Sequence, residues 1–182
     1  MKKYLYGSQV YGTANKDSDY DYVIVGSEKE LGDKTNGQEV RDGLNNFHYY
    51  TNSHWAGLIA KQHIVALECL AYSKETFELD FAVLRSSFSE KASNSFVKAK
   101  KKLTVEQNQQ RIGYKSLWHS IRIIDFGCQL VTHGTIVDFS SCNNLYRDIV
   151  YTNKSWEDLS KIYKPLYNAK KTEFKLLLAQ KG

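Results

Sequence analysis

Residues 6–25 read YGSQVYGTANKDSDYDYVIV, and two of their aspartates, Asp19 and Asp21, stand two apart at the head of an apolar run. Along a strand, side chains two apart share a face, so this spacing places two carboxylates side by side. Like charges that close repel, and the pairing is costly unless a cation sits between them. Oxygen ligands of this kind suit Mg²⁺ or Mn²⁺. Upstream, Gly7 lets the backbone approach a ligand closely, while Ser8 offers an amide and a hydroxyl to a phosphate. Metal-holding carboxylates beside a phosphate-gripping turn are the parts of a phosphoryl or nucleotidyl transfer site. A solvated turn is the plain alternative, since Asp17, Ser18 and Asp19 all favour turns.

The elements that must position these residues follow from pattern. Residues 3–6 and 20–26 read as strands, the second β-branched and closed by Gly26. Residues 9–16 are a turn or short helix, and the polar, Gly-rich stretch 27–46 reads as loop with at most one short element. SHWAGLIAKQH, 53–63, has helical spacing behind Ser53 as N-cap. IVALECLAY, 64–72, is read as a strand interrupted only by Glu68, a charge that is expensive to bury alone. FELDFAVLR, 77–85, fits a strand or the start of a helix. Beyond residue 88 the chain reads as helices. The expected organisation is a mixed α/β core over 1–87 and a helical region over 88–182.

A second group of chemistry-bearing residues falls in that helical region. Over 111–131, Tyr114, Leu117, Ile121, Ile124 and Cys128 fall on one face at about 100° per residue, and Arg111, Lys115, His119 and Arg122 on another. Stacked cations repel unless they share an anion such as a triphosphate or an RNA backbone. The alternative is an ordinary solvated basic face. Trp118, beside the stripe, fits core packing or stacking on a base. The lysines of 98–102 and 170–175 read as solvated. No metal spacing links His48, His54, His63 and His133, and no role is assigned to them.

Composition bounds these readings. The chain has 182 residues, 42% of them hydrophobic, and a net charge of +5, which suits a polyanionic partner. Three scattered cysteines suit neither a disulfide framework nor a zinc site. The N-terminus lacks the apolar stretch of a secretory signal, and no run approaches the roughly 20 apolar residues of a membrane span. A cytoplasmic protein with no membrane partner is expected. With Gly7 already at the end of the first strand, no preceding domain is expected either.

GSQVYGTANKDSDYDYVIV resembles the signature of the polymerase β-type nucleotidyltransferase superfamily, Gly-Ser followed by Asp-x-Asp framed by apolar residues. Gly12-Thr13 and Ser18 resemble the version found in RNA-repair-associated nucleotidyltransferases. HIVALECLAYS (63–73) and KSLWHSIRIIDFGCQLVTHG (115–134) are similar to two further segments of that subfamily. The resemblance implies a minimal nucleotidyltransferase α/β fold with a small mixed sheet, followed by helices. It implies two Mg²⁺ or Mn²⁺ ions held by three carboxylates: Asp19, Asp21, and a third from a neighbouring strand, Glu68 ahead of Asp80. Gly7 and Ser8 would hold the phosphates of a nucleoside triphosphate such as ATP, and Lys115, His119 and Arg122 match the subfamily's basic helix. The implied reaction moves an NMP from an NTP to a hydroxyl, expected to be an RNA 3′ end, tRNA included. A protein- or small-molecule-modifying nucleotidyltransferase, and a catalytically inactive nucleotide- or RNA-binding module, are the alternatives.

Overall fold

The structure is a computed structural model describing residues 1–181. It divides into two compact units, Met1–Leu79 and Asp80–Gly182. The mixed α/β fold with a helical C-terminal region agrees with the expected class. The division precedes the change of texture expected at 88, because the first long helix already begins at Phe81.

In the first unit, β1 (Lys2–Tyr6), β2 (Tyr20–Gly26), β3 (Gln38–Asp42) and β4 (Asn45–Thr51) form one sheet in the order β1-β2-β4-β3. The central pair β2/β4 is parallel and both edge strands are antiparallel. Helix α1 (Ser8–Tyr11) follows β1, α2 (Glu28–Leu31) follows β2, and α3 (Asn52–Ala60) and α4 (Ile64–Tyr72) follow β4.

One face of the sheet carries the core: Tyr4, Val23 and Val25 pack with Trp55 of α3 and Ala66, Cys69 and Leu70 of α4. Tyr4 stacks on Trp55 at 5.5 Å between centroids. A fully buried side chain of this size contributes about 1.5–3 kcal/mol. The opposite face carries a row of rings, Tyr20, Tyr22, Phe47 and Tyr49, with the Lys3 ammonium 3.7 Å over Tyr22.

Three local expectations are corrected. IVALECLAY is helix α4, not a strand: Ala66, Leu67 and Cys69 are all completely buried, so the segment is apolar all round and carries no period to read. The stretch 27–46 is not loop but holds α2, β3 and the start of β4. The cap of α3 is Thr51 rather than Ser53. Its hydroxyl accepts from the His54 amide at 3.2 Å, while its backbone still has the extended geometry of β4.

The second unit consists of α5 (Phe81–Thr104), a 3₁₀ turn (Gln107–Gln109), α6 (Gln110–His133), α7 (Asn143–Val150) and α8 (Trp156–Ala179). The apolar face expected for α6 is its buried face, with Leu117, Ile121 and Ile124 fully enclosed. At Gly127 a Cβ would lie 2.9 Å from Phe174 of α8 and 3.2 Å from Phe88 of α5, so these helices approach as closely as they do because that side chain is absent. Asp125 ties α6 to α8. Burial alone would raise its carboxyl, but hydrogen bonds from Lys170 (2.6 Å), Ser141 (2.6 Å) and Gln129 (3.1 Å) outweigh that and hold it below the ordinary value. Lys170, expected on a solvated face, is therefore an internal partner. Among the described residues, no helix is long and apolar enough to cross a membrane.

Candidate active site

The site grows from the end of β1. Antiparallel pairing sets Tyr6 opposite Asp21, and the chain then turns at Gly7. Gly7 has φ 77° and ψ −153°, a conformation essentially confined to glycine. Its carbonyl accepts from the Val10 and Tyr11 amides (3.0 and 3.1 Å), which starts the single turn of α1. A Cβ at Gly7 would lie 2.5 Å from Oδ2 of Asp21. The turn and the carboxylate thus occupy adjoining space.

On its other side Asp21 is in register with Asn46 of the parallel strand β4. The Asn46 side-chain amide donates to Asp21 Oδ1 at 3.1 Å, and the same nitrogen lies 3.2 Å from His48 Nε2. Glu39 of β3, in register with His48, is held low first by its contact with Arg41, with the Asn46 amide contributing in the same direction. The edge of Tyr6 meets the His48 ring at 5.8 Å. Half-buried Asp21 titrates above the ordinary carboxylate range. Burial is the main cause; the Asn46 hydrogen bond opposes it, and the nearby charge of Asp19 adds to it. Asp19 is also half-buried in the lead into β2, and its carbonyl accepts from Gln9 at 3.3 Å.

These features bear on whether a divalent cation suits the place. Two half-buried carboxylates influence one another, one oxygen of Asp21 faces a turn cleared by a glycine, and the Oδ1 of Asn46, itself 5% exposed, is a buried acceptor without a partner. The donor set fits a hard cation, with Asp19 and Asp21 as the residues that would hold it.

The two candidates for a third carboxylate belong to helices rather than to a strand. Glu68 is on helix α4, 2% exposed, and accepts a hydrogen bond from Tyr11 at 2.7 Å. Asp80 is the N-cap of α5, its Oδ1 accepting from the Ala82 and Val83 amides at 3.0 Å each. Among the described residues no three His, Cys, Asp or Glu side chains gather as a metal-holding group.

In the second unit the basic stripe is divided. Arg111 is exposed, and Lys115 and His119 are half-buried. Arg122 is 4% exposed, with its guanidinium 5.2 Å from the Trp118 ring centre and 4.8 Å from that of Phe126. The weakly hydrated guanidinium plane stacks favourably on aromatic faces. Its terminal nitrogen lies 3.0 Å from His119 Nδ1. Burial of the ring, then the charges of Arg122, Lys115 and Lys98, push His119 well below the ordinary imidazole value. The stripe therefore carries a neutral histidine rather than four cations. Trp118 is core: its indole donates to the Cys142 carbonyl at 2.9 Å and its ring meets Tyr146 edge-on.

Asn46 and His48 are the neighbours of Asp21 that pattern reading missed. The signal was present in QEVRDGLNNFHYYT, where Asp42-Gly43 is a strong hairpin turn and positions 46 and 48 share a face of the strand that follows.

Two carboxylates stand at the head of a central strand, set against a glycine turn on a small mixed sheet. The chain belongs to the nucleotidyltransferase domain family, whose model matches residues 2–126. This supports the polymerase β-type resemblance at the level of the superfamily and assigns the chain a family whose general reaction is NMP transfer. No curated protein and no solved structure matches the chain.

Proposed function

We propose that the protein is a metal-dependent nucleotidyltransferase that moves an NMP from an NTP to a hydroxyl of RNA. The observation that carries this reading is the packing of Asp21 Oδ2 against the Gly7 turn with Asp19 beside it. Asp19 and Asp21 hold the divalent cation, Mg²⁺ or Mn²⁺, which when bound neutralises charge on the transferring phosphoryl group. Gly7 leaves room for Asp21 Oδ2 beside the turn, and the Ser8 amide and hydroxyl bind a phosphate. Glu68 is the candidate third carboxylate, and in the second unit Lys115, His119 and Arg122 are candidate anion-binding residues, Arg122 by its charge and His119 as a neutral hydrogen-bonding ring.

RNA is favoured as acceptor by the net charge of +5 and by a cationic depression of about 400 Å³ in the second unit. Arg85, Lys175 and Lys181 line it around an apolar floor of Phe81, Leu178 and Ala179, and none of these three makes an ion pair among the described residues. Such a combination suits a phosphodiester backbone carrying bases.

The test is transfer of label from the α-phosphate of each NTP to total RNA with Mg²⁺ or Mn²⁺, comparing wild type with the Asp19→Ala/Asp21→Ala double variant. Label in RNA that disappears in the variant is the expected result. Label on protein or a small molecule instead would replace the RNA acceptor. NTP binding without any transfer would mark a binding module that has lost its reaction.

A further inference from the structure

We propose that Asn46 is the positioning residue for Asp21, and that His48 in turn holds Asn46. The proposal rests on the reading of Asp21 as a cation-binding carboxylate.

The Asn46 side-chain nitrogen lies between acceptors on two strands: Asp21 Oδ1 at 3.1 Å on β2 and His48 Nε2 at 3.2 Å on β4. A carboxylate oxygen accepts, so Asp21 fixes the amide with its nitrogen toward β2. Facing that nitrogen, His48 serves as the acceptor through Nε2.

The arrangement has a cost: Oδ1 of Asn46 is buried without a partner, and such an orphan destabilises a fold by about 1–3 kcal/mol. A leucine would avoid that cost. What the amide supplies is a fixed division of labour at Asp21. One oxygen is engaged by Asn46, and the other is aimed at the turn where Gly7 leaves room for it. Asp21 then meets a cation through Oδ2 alone, with its rotamer already set. Partners of this kind alter metal affinity through the ligand they orient.

The experiment measures Mn²⁺ affinity of the full chain by electron paramagnetic resonance, with melting temperatures recorded alongside. Asn46→Ala and His48→Leu should each weaken Mn²⁺ binding by about 10-fold. His48→Gln, whose amide oxygen still accepts from Asn46, should stay within a factor of about 2 of wild type, a distinction that a merely structural role for His48 would not produce. Equal weakening in both His48 variants, or unchanged binding in Asn46→Ala, would overturn the proposal. Should Asn46→Ala not fold, the His48 pair decides.

A second measurement separates this proposal from the reading beneath it. In metal-free protein, Asp21→Ala should shift the side-chain ¹⁵N–¹H resonances of Asn46 and speed their exchange. No shift would overturn the positioning role whatever metal does. A shift in a protein that binds no Mn²⁺ would instead preserve the contact and remove the cation-binding reading, and with it the role proposed for Asn46.

Discussion

Gly7 and Asp21 are fourteen positions apart in sequence, yet a methyl group on the first would lie 2.5 Å from a carboxylate oxygen of the second. Antiparallel pairing of β1 with β2 produces this contact by placing Tyr6 opposite Asp21 just before the chain turns. Gly7→Ala must therefore strain the backbone, displace the carboxylate, or do both. The expected cost is about 1–3 kcal/mol of stability together with a fall of about 100-fold in transfer, because a small displacement of a reacting centre is expensive. Thermal melting and NMP-transfer assays on the same preparation check this; a variant with both properties intact would mean that the turn yields freely.

Asp21 makes a second prediction, this time a gain in stability. Its folded-state carboxyl lies above the ordinary value, chiefly through burial. The stability associated with its neutral form is fully present below about pH 3.9, the unfolded value, and is lost as pH rises through the raised folded value. At neutral pH the ionised group is thus a liability to the metal-free fold. Asp21→Asn should melt higher than wild type at pH 7 by the equivalent of about 0.5–2 kcal/mol, with the advantage shrinking in acid, while transfer is abolished. A lower melting temperature at pH 7 would contradict the assignment.

The parts of the site legible in the sequence were those with local signatures. Gly7-Ser8 and Asp19-x-Asp21 lie within one short stretch, and strand 20–26 was apparent from its β-branched run. The neighbours Asn46 and His48 carry no such local signature, because they reach Asp21 only through the parallel pairing of β2 with β4. Glu68 was recognised as an unusual buried charge but placed on a strand, since an all-apolar helix and a buried strand look alike over nine residues. By spacing alone Arg122 belongs to a cationic stripe. Helical spacing gives its direction around the axis but not the presence of Trp118 and Phe126 to enclose it.

Glu68 is an acid with almost no exposure, and the Tyr11 hydroxyl is one of its partners at 2.7 Å. Tyr11→Phe removes that donor and leaves the ring in place. The expected loss is about 1–3 kcal/mol, the cost of depriving a buried polar group of a hydrogen bond. Denaturant unfolding of Tyr11→Phe beside Glu68→Gln would measure it. If Tyr11→Phe unfolds at the wild-type midpoint, the hydroxyl contributes nothing to holding the acid in the fold.

His119 predicts an acid-side weakness. With its folded value pushed well below that of a free imidazole, the unfolded chain takes up a proton that the folded one refuses. Stability should fall as pH drops through about 6.5 and keep falling toward the lower folded value. His119→Gln, which can still accept from Arg122, should remove that part of the slope. A pH series of melting temperatures tests it, and parallel slopes for the two proteins would show that His119 titrates normally.

The cationic depression of the second unit gives a prediction in salt. If Arg85 and Lys175 each neutralise one phosphate of a single strand, each releases counterions when RNA binds, and the logarithm of affinity falls with the logarithm of salt by about 0.7 per contact. Arg85→Ala and Lys175→Ala should each reduce the slope by about that amount and weaken binding to all sequences alike, whereas Phe81→Ala should weaken binding with little change in slope. All three positions can be compared by fluorescence anisotropy with a labelled oligonucleotide at several salt concentrations. A slope unchanged by both charge removals would place RNA away from this depression and leave the acceptor to be sought through label transfer alone.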